Sequence, residues 1–165
     1  MNYVIDSMRQ QDWEQVLAIY AEGIATGLAT FETNLPDWQQ WDAGHLPLCR
    51  FVARENEHVL GWAALSPVSR RQVYAGVAEV SVYIAAAARG RGIGNALMVT
   101  LVEASEANGL WTLQSSIFPE NVASIKLHVN HGFRELGRRE RVAKLHGEWR
   151  DTVLMERRSQ IVGTD

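Results

Sequence analysis

The stretch AAARGRGIGNALMVTLVEA, residues 86–104, sets glycines at positions 90, 92 and 94 and then turns directly into a helical pattern. Glycine gives up more backbone freedom on folding than any other residue. Three at alternate positions before a helix therefore imply that the backbone itself must touch something. Upstream, residues 73–84 (VYAGVAEVSVYI) read as a strand with Val80, Val82 and Ile84 on one face. Downstream, Ile93, Leu97 and Leu101 recur at helical spacing, and Asn108-Gly109 supplies the stop. A strand, a glycine turn and a helix N-terminus, in that order, form an anion site. The first helical N–H groups have no internal partner, and the helix dipole favours negative charge there. Arg89 and Arg91 add guanidinium groups suited to phosphate. The loop is expected to hold a phosphorylated ligand, with a pyrophosphate the natural fit. It is not a P-loop, because no Gly-Lys-Ser/Thr follows. It is not the dinucleotide fingerprint, because the third glycine of G-x-G-x-x-G would fall on Asn95.

The rest of the chain narrows the class. Its 165 residues fit one domain, residues 1–165, with enough chain to bury a core. A net charge of -3 gives no bulk case for nucleic acid or an anionic membrane. Cys49 is the only cysteine, so neither an internal disulfide nor a cysteine-based zinc cluster is expected. The opening MNYVIDSMRQQDWEQ lacks the apolar centre of a signal peptide, and no apolar run reaches the ~20 residues that span a bilayer. The expected location is the cytoplasm. Six tryptophans are many for this length. Trp13, Trp38, Trp41 and Trp149 lie among polar residues, which points to a pocket or an interface.

The elements alternate. Asp12 is placed to cap a helix over residues 13–24, with Trp13, Val16, Leu17 and Tyr20 on one face. Pro36 suits the first turn of a second, short helix. Residues 49–68 read as two strands around the polar turn Glu55-Asn56-Glu57. After the glycine loop and its helix come a strand over residues 110–118 and a helix capped by Asn121 that stops at Gly132. Residues 133–144 and 150–158 read as a closing antiparallel pair. Strands alternating with helices and flanked by hairpins make an α/β (α+β) fold with a mixed, mostly antiparallel sheet.

Arg89-Gly90-Arg91-Gly92-Ile93-Gly94, followed by Ala96-Leu97, resembles the acetyl-coenzyme A signature of the GNAT N-acetyltransferases, Q/R-x-x-G-x-G/A. The resemblance runs along nearly the whole chain. IYAEGIATGLATFET, AEVSVYI, ENVASIKLHVNHGF and HGEWRDTVLM, in that order, resemble the phosphinothricin and methionine sulfoximine N-acetyltransferase branch. The segment SPVSRRQVY is shorter than the branch's substrate-side loop. The resemblance implies the GNAT fold, a single sheet splayed between two central parallel strands. It implies acetyl-CoA as acetyl donor, with the pantetheine arm pairing along Val82, Tyr83 and Ile84. The pyrophosphate would lie on the amides of residues 90–95, from Gly90 through Arg91, Gly92, Ile93 and Gly94 to Asn95, with Arg89 at the rim. Asn121 and Ser124 match positions that contact the cofactor arm.

Acetyl transfer to an amine needs a base for the ammonium proton, a donor for the oxyanion and, for the leaving thiolate, a proton. Glu79 is the candidate base, acting directly or through water, because the resembled family carries a glutamate at this point; a strand-end glutamate facing solvent is the alternative. Where many of the family follow it with histidine, this chain has Val80. His128 stands where the superfamily often has a tyrosine general acid. The branch often has histidine there, and packing beneath the cofactor arm is the alternative role. His128 and His131 lie one helical turn apart with no third ligand nearby, so no metal is expected. His45, His58 and His146 stand alone.

For the acceptor, Arg70 and Arg71 are candidates to hold a carboxylate, with a solvated pair as the alternative. Phe31 and Glu32 match a stretch that lines the acceptor pocket. Tyr74 and Trp149 are further wall candidates, and Glu79, Val80 and Ser81 border the pocket. The implied reaction acetylates the α-amino group of a small amino acid analogue (L-methionine sulfoximine, phosphinothricin or methionine sulfone) by direct attack of the amine, with Cys49 uninvolved. Acetylation of another small amine or a polyamine, and a non-catalytic acyl-CoA sensor, are the alternatives. A homodimer is implied by the branch, and the pattern is equally compatible with a monomer.

Overall fold

The structure is a computed structural model and describes residues 2–165. Its strands are β1 (Val4–Ser7), β2 (Phe51–Glu55), β3 (His58–Pro67), β4 (Val77–Ile84), β5 (Thr112–Ile117), β6 (Arg134–Leu145) and β7 (Glu148–Arg158). Its helices are α1 (Trp13–Ala25), α2 (Trp38–Gly44), α3 (Ile93–Ala107) and α4 (Val122–Asn130). One sheet holds all seven strands in the order β1-β2-β3-β4-β5-β7-β6. Every neighbouring pair is antiparallel except β4 with β5. The mixed, mostly antiparallel sheet expected from the sequence is present, with its parallel pair at the centre.

Side-chain alternation gives the sheet two buried faces. On one, Val80, Leu113, Ile117, Val153 and Met155 pack with Ile93, Leu97, Met98 and Leu101 of α3. On the other, Val52, Trp62 and Ala64 pack with Val16 and Ile19 of α1 and Trp41 of α2. Glycines serve the connections. His146 and Gly147 both take positive φ (50° and 82°) in the two-residue turn between β6 and β7. That geometry matches the twist of a hairpin.

Strand β4 begins at Val77, because Gln72–Tyr74 form a 3-10 turn. Ile19, with Val16, forms the buried stripe of α1, and Leu17 lies outside it. Asp37, not Pro36, begins α2: its carboxylate accepts from the Gln40 N–H at 2.8 Å, and Gln40 returns a bond to the Asp37 N–H. Asp12 does not cap α1 with its side chain. It is 2% exposed, and its carboxylate receives both terminal nitrogens of Arg54 at 2.9 Å and the Arg9 N–H at 2.8 Å. Burial raises the Asp12 pKa, but Arg54 and the Arg9 amide outweigh it and hold the carboxyl below its ordinary value. Trp13, Trp38 and Trp41, set among polar residues in sequence, form an aromatic cluster with Trp62, Tyr20 and Tyr83, and of the three only Trp41 borders the cleft, with His45 and Arg50 against its ring. Apolar rings gain far more by meeting one another than by following their polar sequence neighbours to the surface. Trp149 is 55% exposed, with the Lys144 ammonium 4.9 Å from its ring.

Candidate active site

Strands β4 and β5 pair over only three residues, ending at Glu79↔Gln114. Beyond that rung they part. Residues 80–84 remain paired to β3 on one edge, and β5 remains paired to β7 on its far edge. The inner edges face each other across a V with no strand between them. A cleft of about 1130 Å3 opens there. Glu79, Val80, Ser81, Val82, Tyr83 and Ile84 line one arm, and Ser115, Ser116, Ile117 and Phe118 line the other. Glu79 thus stands at the apex. Gln114 lies on the same rung, its amide 3.5 Å from the Glu79 carboxylate.

The glycine loop closes one end. Ala86–Ala88 make a 3-10 turn, held to α1 by the Glu22 carboxylate, which accepts from the Ala86 N–H at 2.7 Å. Gly90 and Gly92 then take φ of 75° and 77°, the left-handed region that side chains resist. Gly92 caps α3 without a side chain, and the first internal bond there is Ala96 N–H to Gly92 O. The amides of Ile93, Gly94 and Asn95 therefore have no helical acceptor. A Cβ added to Gly90 would meet nothing within 4 Å, so the approach to the loop is open. Arg89, Gly90, Gly92, Ile93, Gly94 and Asn95 all form part of the cleft wall. Open amides continuous with an open slot suit a pyrophosphate and an extended arm laid in as an added strand. The residues fit coenzyme A. Arg91 does not join the wall; it pairs with Glu55 at 2.7 Å.

Helix α4 contributes Asn121, Ser124 and His128 to the cleft. Asn121 caps α4, accepting from the Ser124 N–H at 3.2 Å, and its amide donates to the Leu28 carbonyl at 3.2 Å. Both ends of that side chain are thus engaged within the protein. His128 is 3% exposed, and its Nδ1–H donates to the Ser124 carbonyl at 2.7 Å. Only a protonated Nδ1 can meet a carbonyl, so in the neutral ring Nε2 carries a lone pair. That Nε2 is buried without a partner. Burial, the largest influence, holds the His128 pKa below its ordinary value. The neutral ring is therefore set to accept a hydrogen bond at Nε2. The role of proton donor to a leaving thiolate needs the doubly protonated ring, which this environment disfavours.

Phe31 and Glu32 line the cleft. The rings of Phe31 and Phe118 meet edge to face at 4.8 Å. Arg70, Arg71 and Tyr74 do not form part of the wall. They follow β3 in the turn before β4, where Arg71 lies over the Tyr74 ring at 5.5 Å. Tyr74 borders a separate hollow of about 430 Å3 with Gln114 and Glu156. Cys49 is 7% exposed, and burial pushes its thiol up to about 11. It stands outside the cleft wall and is not poised as a nucleophile. No group of three or more His, Cys, Asp or Glu among the described residues is placed to hold a metal ion. No helix among them is long and apolar enough to cross a membrane.

Sequence reading missed Arg150, His45 and Phe118. Arg150 donates to the Gly27 carbonyl at 3.1 Å and lies 4.1 Å over the Phe118 ring, tying β7 to the loop after α1. That contact spans 123 residues, and no local pattern announces it. His45 stood alone in a polar context and borders the cleft only because α2 folds back against β3.

Comparison with known proteins agrees with this geometry. The family model described as acetyltransferase (GNAT) family matches residues 6–133. A phosphinothricin N-acetyltransferase of Alcaligenes faecalis is 36% identical over 159 residues, covering 91% of this chain and 79% of that protein. An L-methionine sulfoximine/L-methionine sulfone acetyltransferase of Pseudomonas paraeruginosa is 35% identical over 153 residues, covering 88% of each. The crystal structure of a GNAT-superfamily phosphinothricin acetyltransferase from Sinorhizobium meliloti, in complex with acetyl-CoA, superposes with a TM-score of 0.88 at 29% identity, over all of this chain and 92% of that one. With its parallel pair splayed, its glycine cradle at the head of α3 and a carboxylate at the apex, this chain belongs to the GNAT family of acetyltransferases and takes acetyl-CoA as its donor.

Proposed function

We propose that the protein transfers the acetyl group of acetyl-CoA to the α-amine of a small amino acid analogue of the methionine sulfoximine and phosphinothricin type. The observation that carries the reading is Glu79 at the apex of the V, where a thioester laid along β4 would end. Acetyl-CoA supplies an activated acyl carbon. The chain supplies the rest. The amides of Ile93, Gly94 and Asn95, with Arg89, hold the phosphates, and the open edge of Val82, Tyr83 and Ile84 orients the arm. Glu79 takes the proton of the acceptor's ammonium, directly or through a water. An acceptor ammonium is mostly protonated at neutral pH, so this step is required. The amine then attacks the thioester carbon directly, since the buried Cys49 lies away from the cleft; the carbon–sulfur bond breaks, the coenzyme A thiolate leaves and takes up the second proton that the nitrogen sheds, and Glu79 returns its own proton to solvent.

The walls support a place for the acceptor. Glu79, Ser81 and Tyr83 share the face of β4 that looks towards α1 and α2, and Phe31 and Glu32 come from the loop between those helices. One feature favours a second reading. Among the wall residues, Arg89 at the glycine loop is the sole arginine or lysine, while Glu32 and Glu79 both face the acceptor side. That charge pattern suits an amine without a carboxylate, such as a polyamine.

Incubating the protein with acetyl-CoA and each candidate, followed by mass spectrometry of the acceptor, separates the two. N-acetylated sulfoximine or phosphinothricin supports the first reading; acetylated polyamine alone replaces it with the second. The homodimer implied by the branch belongs to the same proposal and is checked by size exclusion with light scattering.

A further inference from the structure

The acceptor side of the cleft contains a side chain with no role so far. His45 follows α2 and forms part of the cleft wall. Its ring stacks on Trp41, with centroids 4.0 Å apart and planes at 20°, and meets the Trp62 ring edge-on at 6.4 Å. Its Nδ1 lies 2.6 Å from the Trp41 carbonyl. A carbonyl only accepts, so Nδ1 carries the proton and Nε2 the lone pair. Stacking and this bond fix the ring in place. The one polar atom that His45 has left to offer the cleft is an acceptor.

Aromatic walls flank it. Trp41 and Trp62, 3% and 1% exposed, also border the cleft. Their indole N–H groups are buried and have no partner within the protein. Such donors are costly to leave unpaired. Those two N–H atoms are shielded from the cleft, so the fixed acceptor on His45 is the group that a ligand's tail can meet, and it matches a tail that carries an N–H. A sulfoximine carries one. A sulfone carries oxygens only, and an ionised phosphinate likewise has no donor.

We propose that His45 Nε2, held by the Trp41 carbonyl and the Trp41 ring, accepts a hydrogen bond from an N–H on the acceptor's tail, so that the enzyme prefers a sulfoximine to the matching sulfone. The inference rests on the acceptor reading given above. Burial, which lowers the His45 pKa, keeps the lone pair available at neutral pH.

The test measures kcat/KM for L-methionine sulfoximine and L-methionine sulfone in the wild type, His45→Phe and His45→Gln. One neutral hydrogen bond corresponds to a preference of roughly three- to tenfold. The wild type is expected to favour the sulfoximine by that factor. His45→Phe keeps a ring to stack on Trp41, and its ratio is expected to fall towards one. His45→Gln, which offers a carbonyl oxygen, is expected to restore part of the preference. A wild-type ratio near one overturns the proposal. So does a ratio unchanged in His45→Phe, or a proportional loss on both acceptors, which would mark His45 as packing alone. Wild-type turnover of other amines but of neither analogue would overturn the acceptor reading itself, and this inference with it. Acetyl-CoA affinity and melting temperature, measured alongside, show whether each variant is folded.

Discussion

Glu79 and Gln114 form the last rung of the parallel pair, and the Gln114 amide lies 3.5 Å from the Glu79 carboxylate just where the strands separate. The same rung that ends the sheet's pairing thereby places a carboxylate at the head of the cleft. Architecture and chemistry meet at one residue.

The first prediction follows from that rung. Glu79→Gln keeps the shape and loses the base. Turnover is expected to fall by about 10²–10⁴-fold, the usual contribution of general base catalysis. The affinity for acetyl-CoA, measured by calorimetry, is expected to hold, because the glycine cradle is remote from Glu79 along the cleft. Turnover retained in full would remove Glu79 from the mechanism.

The glycine cradle gives the second. Gly92 has φ of 77° and caps α3. An L side chain in the left-handed region costs about 1–2 kcal/mol. Gly92→Ala is expected to lower stability by that amount in urea unfolding. It is also expected to raise the KM for acetyl-CoA more than the KM for the acceptor. An acceptor effect as large as the cofactor effect would contradict the assignment of the loop.

Asp12 and Arg54 give the third, on stability and pH. Arg54→Met leaves the Asp12 carboxylate buried without its partner, and breaking such a pair costs about 3–5 kcal/mol. Asp12 is held below its ordinary pKa of about 3.9. Between the folded and unfolded values the unfolded chain binds more protons, so stability rises with pH across that window. The contribution is complete above about pH 4 and is lost as pH falls through the lower, folded value. The stability gap between wild type and Asp12→Asn is therefore expected to be full at neutral pH and to narrow in acid. A gap independent of pH would contradict the account.

Cys49 gives the fourth. Its thiol is buried, pushed up to about 11, and outside the cleft wall. Cys49→Ala is expected to retain turnover, and intact-protein mass spectrometry during turnover is expected to show no acetyl on the enzyme. Trapped acetyl on Cys49 would overturn direct attack.

Much of this was legible in the chain because the signals were local. Gly90, Gly92 and Gly94 before a helical repeat announce an anion cradle from backbone chemistry alone, and Asn121 announces the start of α4. The stop at Gly109 is likewise a local event. What escaped was set by tertiary contact. Asp12 looks like a cap beside Trp13, but Arg54, 42 residues away, claims its carboxylate. Trp38 and Trp41 sit among polar neighbours in sequence and among rings in space. Arg70 and Arg71 were drawn to the acceptor by charge, yet the turn that carries them lies outside the cleft wall, while His45 enters the wall from a helix with no chemical motif. Tyr83 shows the same coupling: a Cβ on Gly23 of α1 would come within 2.6 Å of its ring, so α1 can approach β4 only because residue 23 is glycine.

The most direct test of the central claim is release of free coenzyme A thiol from acetyl-CoA. It is measured with L-methionine sulfoximine, phosphinothricin, plain amino acids and polyamines, in the wild type and Glu79→Gln. The account predicts acceptor-dependent release by the wild type with the two analogues, and its near loss in Glu79→Gln at unchanged acetyl-CoA binding. Tight acetyl-CoA binding with no release for any acceptor would contradict it and leave a protein that binds the cofactor without transferring its acetyl group.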